Sequence, residues 1–435
     1  HKSGDAHNPS NYRPISLTSV PCKILEHIIF SYLVKHLESN KFFHYSQHGF
    51  RKLFSCETQI ITFTNDLHVY LDSGFVTDCI FLDFSKAFDK VNHQLLLHKL
   101  SHLKIDPQVL QFIRIFLANR TQFVSINETD SPEVAVHSGV PQGSVLGPLL
   151  FLIYINDLPS NICSPVCLFA DDCVLYRKIT NDTDIACLQS DLNNIISWCN
   201  LWHMDLNVSK CKSMRISRNK LPSPDYFLKD TLLESVESYK YLGVHITNNL
   251  SWARQIEYVT SNANRMLGYL KRNFSLSPSS LKKQLYITYV RPRLEYASSV
   301  WDPGYVTLSN KIEAVQNRSA RFILSNYHRT SSVTNMKSSL DLATLATRRK
   351  LARLCVLHKA YHHNPILKSR WLNPPFFLSE RLDHHYKVHI PRQNTVTYSH
   401  SFLPKTCHDW NNLPASLVTI TNHERFRAAL ENFMH

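Results

Sequence analysis

Phe169-Ala170-Asp171-Asp172 is the stretch on which the reading of this 435-residue chain turns. Two adjacent carboxylates stand between apolar runs, Val166-Cys167-Leu168 before them and Cys173-Val174-Leu175-Tyr176 after them, so the segment reads as the turn of a buried hairpin. Apolar strands do not carry two charges at their joint unless something neutralises them, and a divalent cation is the usual solution. Upstream, Cys79-Ile80-Phe81-Leu82 reads as a second apolar strand, and it ends in Asp83. Three carboxylates at strand ends fit a two-metal clamp for phosphoryl or nucleotidyl transfer, with ions roughly 3.5–4 Å apart. Solvated turn acids are the bland alternative for an Asp-Asp pair taken alone.

The intervening sequence decides between them. Between the two carboxylate sites lies Ser138-Gly139-Val140-Pro141-Gln142-Gly143-Ser144-Val145-Leu146-Gly147-Pro148, followed by an apolar helix running into Asn156-Asp157-Leu158-Pro159. Phe81-Leu82-Asp83-Phe84-Ser85-Lys86-Ala87-Phe88-Asp89 precedes it and Tyr241-Leu242-Gly243-Val244 follows. In order and spacing these four motifs resemble the reverse transcriptase of non-LTR (LINE-like, jockey/CR1-type) retrotransposons over residues 8–250. The resemblance implies an RNA-directed DNA polymerase of α/β (α+β) class with a right-hand architecture. Fingers and palm would occupy 1–250 and a basic helical thumb 251–345. A basic C-terminal extension of undefined fold would take 346–435.

The resemblance also assigns roles. Asp83 and Asp171 would bridge two Mg²⁺ ions (Mn²⁺ substituting), with Asp172 secondary and the Phe84 carbonyl completing the shell. Ala170 would leave room for the primer end beside the carboxylates. Phe88, five residues past Asp83, would be the steric gate against a ribose 2′-hydroxyl; a plain core Phe is the alternative. Gln142 and Gly143 would meet the incoming nucleotide and template, glycine allowing close backbone approach. Arg51 would clamp the triphosphate through its forked donors, and Arg13 is either its helper or a surface residue. Lys210 matches the lysine near the leaving group. The family usually places threonine after it, whereas here Cys211 follows, and Lys212 competes for the role. Tyr241-Leu242-Gly243 would be the primer grip.

Partners implied are an RNA template, a DNA primer and dNTPs, with the element RNA held as a ribonucleoprotein and no membrane. The location implied is intracellular, a cytoplasmic ribonucleoprotein and the nucleus. The start at His1, without a methionine, reads as a fragment of a longer polyprotein without its N-terminal endonuclease. A non-catalytic RNA-binding scaffold or a decayed copy is the rival reading, disfavoured by retention of all three carboxylates. An RNA-dependent RNA polymerase is disfavoured by Ala170 before the paired acids and by the ring at Phe88.

Charge agrees with a polyanionic partner. Residues 1–250 hold 22 Lys and Arg against 24 Asp and Glu, whereas residues 251–435 hold 26 against 10. The net +14 is thus confined to the second part, which reads as an electrostatic grip on nucleic acid. Eleven scattered cysteines without a C-x-x-C pair suit a reducing compartment, with Cys163, Cys167 and Cys173 as core thiols. Cys355, His358 and His362 share one face of an expected helix, a partial zinc set with no convincing fourth ligand.

Periodicity places an extended segment at 8–21 and a helix whose apolar positions are Ile24, Leu25, Ile28, Ile29, Leu33 and Leu37, ending at Asn40. Gln47-His48-Gly49-Phe50-Arg51 reads as a turn into a second helix that stops at Ser73-Gly74. Helices are expected near 95–103, 107–118 and 183–202, and strands at 121–127, 133–138, 211–217 and 239–246. This alternation predicts an α/β domain. Beyond 250 the pattern is helical and basic at 255–273, 279–290, 308–325 and 342–361. Residues 364–400 lack periodicity, and Trp410-Asn411-Asn412-Leu413-Pro414 resembles tails of this element class.

Overall fold

Val76–Asp83 is buried at every position from Thr77 to Leu82, the pattern of a strand covered on both faces. It is the middle strand of a five-stranded sheet ordered Glu234–Ser235, Lys212–Ile216, Val76–Asp83, Asp172–Ile179, Val166–Phe169. Its one buried acid, Asp78, is satisfied by the Tyr226 hydroxyl, which donates over 2.7 Å. This computed structural model describes residues 5, 7, 8, 11–13, 15–126, 128–219, 221–379, 381 and 383–434. His1, and Pro9, Ser10 and Pro14 of the expected extended segment, lie outside the described residues, as does Asn127 of the expected 121–127 strand.

Two compact units divide the chain. The first comprises His1–Ser55, Asp78–Ser213 and Ser223–Ser235; the second comprises Cys56–Thr77, Met214–Pro222 and Val236–His435. These units interleave in sequence and do not coincide with linear cuts at 250 and 345.

In the first unit, Ile80, Leu82 and Phe84 alternate onto one core cluster with Leu149, Ile153, Leu192 and Ile195. Val20–Ser39, His93–Ser101, Pro107–Leu117, Leu146–Ile155 and Asp182–Leu201 supply its helices. Leu146–Ile155 is so apolar that every residue but Pro148 is buried. In Val20–Ser39 the buried face is Glu26, Ile29, Leu33 and Leu37, whereas Ile24, Leu25 and Ile28 are exposed. The sequence-based assignment of that face shifts because a buried carboxylate at Glu26 has work to do, described below. The expected strands at 121–127 and 133–138 become two short hairpins. Arg120–Gln122 pairs with Val134–Val136, and Ser125–Ile126 with Thr129–Asp130.

The second unit is mainly helical. Cys56–Asp72 belongs to it, ending before Gly74, whose φ of +82° stops the helix. Ala253–Asn273, Val306–Ile323 and Leu345–His363 match expected helices within three residues at each end. The expected 279–290 helix forms and changes its pitch along the way. Ser279–Leu285 passes into a π-turn, Tyr286–Val290, and then Arg291–Glu295. Pro292 has no N–H to give back to that turn and its ring crowds the carbonyl four residues earlier, so the helix widens there. Helices Pro365–Trp371, Phe402–Asn411 and His423–Met434 had no sequence forecast. Trp410 is fully buried among them and its indole N–H donates to the Tyr386 carbonyl at 2.9 Å.

One cysteine reading is corrected here. Cys163 is exposed, although Cys167 and Cys173 are buried as expected. The zinc face is not a metal site. His358, His362 and His363 instead direct their Nε2 atoms at the carbonyls of Ile420, Val418 and Thr421, at 2.7, 3.1 and 2.8 Å. Imidazoles packed against backbone carbonyls hold a loop, and among the described residues no group of three or more His, Cys, Asp or Glu is arranged to hold a metal. No described helix is long and apolar enough to cross a membrane.

Candidate active site

The Phe169–Asp172 turn forms as the sequence requires. Val166–Phe169 and Asp172–Ile179 pair antiparallel with Phe169 opposite Asp172, leaving Ala170 and Asp171 as a two-residue loop. Ala170 takes φ +54°, in the left-handed region that residues other than glycine adopt uncommonly. Asp172 opens the strand that neighbours Val76–Asp83 in the sheet, and Asp171 sits at the tip of the turn before it. Asp83 and Asp171 are half-buried and Asp172 is exposed.

Backbone pairing beyond Asp83 fixes the next residue. Asn207 donates to the Asp83 carbonyl at 2.7 Å and Ser85 donates to the Asp205 carbonyl at 2.8 Å, flanking a Phe84–Leu206 bridge. Such a non-hydrogen-bonded pair turns the Phe84 N–H and carbonyl away from the 205–207 segment. The Phe84 ring goes into the core, edge-on to Trp198.

Lys210 ends a short 3-10 turn, Val208–Lys210, and brings its ammonium to 3.6 Å from Asp83 Oδ2. Lys212 is engaged elsewhere, donating to the Ser209 carbonyl and to Glu234 Oε2, each at 2.7 Å. Of the two competing lysines, the one beside the carboxylates is Lys210. Cys211 is buried, and its sulfur receives the Asp83 N–H at 3.4 Å. Burial pushes its thiol up to about 11, against the opposing effect of that N–H, so it remains a neutral packing group.

Phe88 lies in the Ala87–Asp89 3-10 turn, half-buried, stacked on Phe151 at 4.3 Å and edge-on to Phe50 at 6.2 Å. Its carbonyl accepts the Val140 N–H at 2.8 Å, which ties it to the Pro141-Gln142-Gly143 loop. Gln142 Nε2 donates to Asp89 Oδ1 at 2.9 Å. Gly143 has φ +106°, and a Cβ there would meet the Ser16 carbonyl at 2.7 Å. The close approach that this glycine permits is to the chain's own 15–16 segment, whose Ser16 N–H donates back to the Gln142 carbonyl at 2.7 Å.

Arg51 is held inside its own loop. Nη1 donates to the carbonyls of Gln47 (3.1 Å) and His44 (3.3 Å), and the guanidinium lies over Phe43 and Phe54. Burial lowers its pKa, opposed by Glu38. Arg13 is exposed.

Two residues that sequence reading passed over build this site. Gln47 is buried, and its Oε1 accepts the N–H groups of Gly49 (2.8 Å) and Ala170 (3.0 Å). Residues 46–48 also bridge Leu168 in parallel, so the expected turn is an added edge of the sheet that clamps the Phe169–Asp172 hairpin. Ala170 is buried, and a Cβ on Gly49 would meet its backbone nitrogen at 2.4 Å, so the close packing here is of Gly49 on the turn's backbone. Glu26, fully buried, accepts from Val145 N (2.7 Å) and Leu146 N (3.0 Å) through Oε2. It caps the helix that follows the Gly-Pro-rich loop. A lone charge inside an apolar helical run was the available signal.

In the second unit, Tyr241-Leu242-Gly243 forms the tip of a hairpin between Ser238–Tyr241 and Val244–Thr247. The expected continuous strand at 239–246 is thus two strands around a tight turn, with φ +45° at Leu242 and +85° at Gly243. Tyr241 is buried against Phe63. The Tyr296 hydroxyl donates to the Leu242 carbonyl at 2.9 Å, and its ring lies where a Cβ on Gly243 would collide.

The chain belongs to the reverse transcriptase (RNA-dependent DNA polymerase) family, which matches residues 1–246. Within that family it is similar to the probable RNA-directed DNA polymerase from transposon X-element of Drosophila melanogaster, 28% identical over 74% of this chain. It is also similar to the RNA-directed DNA polymerase from mobile element jockey of Drosophila funebris, 30% identical over 72% of this chain. The chain spans 37% and 35% of the lengths of those two relatives. Among solved structures, apo telomerase from Candida tropicalis is similar at 13% identity and TM-score 0.41, over 80% of this chain and 55% of that one.

Proposed function

We propose that this chain is the polymerase portion of a non-LTR retrotransposon protein, extending a DNA 3′-hydroxyl on an RNA template. The observation that carries the reading is that the strand ending in Asp83 and the strand opened by Asp172, just behind Asp171, are neighbours in one sheet, although the three carboxylates are not gathered into a metal-holding group. The donors fit Mg²⁺ chemistry: they are hard carboxylate oxygens, few in number and not closed into a cage. Mg²⁺ usually keeps several waters and completes its shell with substrate phosphates. Asp83 and Asp171, with Asp172 and the Phe84 carbonyl, would hold two such ions. When bound, the ions acidify the primer hydroxyl and neutralise charge on the departing pyrophosphate.

The chain's own groups do the rest. Lys210, beside Asp83, supplies an ammonium to the leaving phosphates. Phe88, braced by Phe151, bars a 2′-hydroxyl by bulk. Gln142, anchored on Asp89, presents the loop that meets the incoming sugar and the template, with Gly143 setting the turn. Arg51 stabilises its loop through carbonyls and rings, and its approach to a triphosphate requires that loop to open. Tyr241, Leu242 and Gly243 form a grip for the primer strand, and the basic 251–435 region binds phosphodiester backbone. An element-RNA ribonucleoprotein acting in cytoplasm and nucleus is the setting this reading implies.

Primer extension on an RNA template tests it. Asp171→Asn should lower the rate by about a thousandfold or more, since several kcal/mol of transition-state stabilisation is forfeited. A variant within about tenfold of the parent would remove these carboxylates from the mechanism.

A further inference from the structure

Far along the chain from the carboxylates, within the second unit, lies a cavity of about 620 Å³ whose walls carry four cations and two acids. Arg349 Nε donates to Asp302 Oδ1 at 2.7 Å. Arg353 Nε and Lys405 Nζ lie 2.9 and 2.6 Å from Asp302 Oδ2. Asp409 takes Lys350 at 3.0 Å and Arg353 Nη2 at 2.9 Å. Three cations on one carboxylate and two on the other leave the cluster with excess positive charge.

The guanidinium donors are not fully used. Arg349 is 2% exposed, and its Nη1 is buried with no hydrogen-bond partner in the protein. Arg353, equally buried, places Nε near Asp302 without an aligned hydrogen bond. Burial alone would raise the Asp302 carboxyl, yet Arg353, Lys405 and Arg349 pull it below the usual range, so the acid stays charged and its capacity is spent. A buried guanidinium with spare donors is costly unless an acceptor reaches it. Planar forked donors suit phosphate oxygens. Lys350 is half-buried and His408 is exposed at the rim, which gives a ligand a way in from solvent. The volume exceeds what one phosphate needs and falls in the span of about 300–1,000 Å³ typical of small-molecule sites.

We propose that this cavity is a second anion site that binds a phosphate monoester or diester of nucleotide size, with Arg349 and Lys350 as its principal donors. The phosphate belongs either to a free nucleotide or to a nucleic-acid strand, and the two sources are separable by experiment.

The test is titration calorimetry on the whole chain in EDTA, which silences metal-dependent nucleotide binding at the Asp83 site. The probes are adenosine, adenosine 5′-monophosphate, and a short oligoribonucleotide with either a 5′-phosphate or a 5′-hydroxyl. The monophosphate should bind and adenosine should not. Arg349→Gln should weaken it by roughly thirtyfold or more and Lys350→Ala by about three- to tenfold, at the scale of lost charge-assisted hydrogen bonds. Thermal unfolding checks that Arg349→Gln still folds, and Lys350→Ala, at a half-exposed position, stands in if it does not. Displacement of the monophosphate by the 5′-hydroxyl strand assigns the site to internal backbone phosphates. Displacement by the 5′-phosphorylated strand alone assigns it to terminal or free phosphates. Absence of monophosphate binding, or equal binding by parent and both variants, overturns the proposal. Asp171→Asn should bind the monophosphate as the parent does, which separates this site from the polymerase reading.

Discussion

Replacing Glu26 should loosen the loop that carries Gln142 before it affects anything else. Its carboxylate is fully buried and accepts two backbone N–H groups, Val145 at 2.7 Å and Leu146 at 3.0 Å. Both belong to the first turn of a helix in which neither N–H has an intrahelical partner. Hydrogen bonds to a charged group contribute about 1.5–3 kcal/mol each, and an orphaned buried donor costs about 1–3 kcal/mol. Glu26→Leu removes the one oxygen that accepts both bonds, at nearly constant volume, so a loss of about 3–5 kcal/mol is expected. Glu26→Gln keeps one oxygen in place and should cost about 1–2 kcal/mol. Hydrogen exchange on the whole chain reads the effect locally. The amides of Val145 and Leu146 should lose protection in the order Leu variant, Gln variant, parent, while Asp182–Leu201 changes little. Dynamics then meet function: Gln142 and Gly143 lie just upstream, so extension rates should fall in the same order. Unchanged protection at Val145 and Leu146 in Glu26→Leu would refute the cap and the energies built on it.

Phe88→Val should lower the kcat/KM ratio of dNTP to rNTP by an order of magnitude or more while costing about 1–3 kcal/mol of stability from the lost stack on Phe151; an unchanged ratio makes Phe88 a core residue only. Tyr296→Phe deletes the hydroxyl that fixes the Leu242 carbonyl but keeps the ring against Gly243. It should weaken primer–template binding several-fold with kcat for bound substrate preserved, and equal affinity would detach Tyr296 from the primer grip. Acid should destabilise the second unit first. Burial holds the His68 imidazole down to about 4, partly opposed by Asp72. The unfolded chain therefore takes up a proton near pH 6.5 that the folded one refuses. Stability is intact above that pH and falls on the way to pH 4, by on the order of 3 kcal/mol for this group. Denaturant midpoints across that window check it, and His68→Gln should flatten the slope.

Truncation at residue 250 would be a poor test of the basic region. Cys56–Asp72 lies in the same compact unit as 236–435. Its Thr62 hydroxyl receives the Trp371 indole N–H at 3.0 Å, and Asp72 accepts from Asn394 and Thr395. Cutting at 250 would therefore expose residues such as Ile60 and Ile61, which are fully buried. Neutralising surface lysines is the cleaner perturbation.

By itself the sequence determined the α/β class, the Phe169–Asp172 hairpin and the extents of helices such as Ala253–Asn273 and Leu345–His363, because those depend on local pattern and on charges that an apolar strand cannot carry without reason. It also located the Gln142 segment, whose short-range turns are written in Pro and Gly. Other features rest on partners remote in sequence. Glu26 meets Val145, Gln47 meets Ala170, and the three histidines meet the 418–421 carbonyls rather than a metal. Choosing Lys210 over Lys212 needed Glu234, more than twenty residues away, to occupy the second lysine. The same holds for the interleaved units, since residues 56–77 carry no local mark of packing with a segment that begins at 236. A buried polar group advertises that it has a partner; only the folded chain says which one, because long-range pairing is set by geometry that no local periodicity encodes.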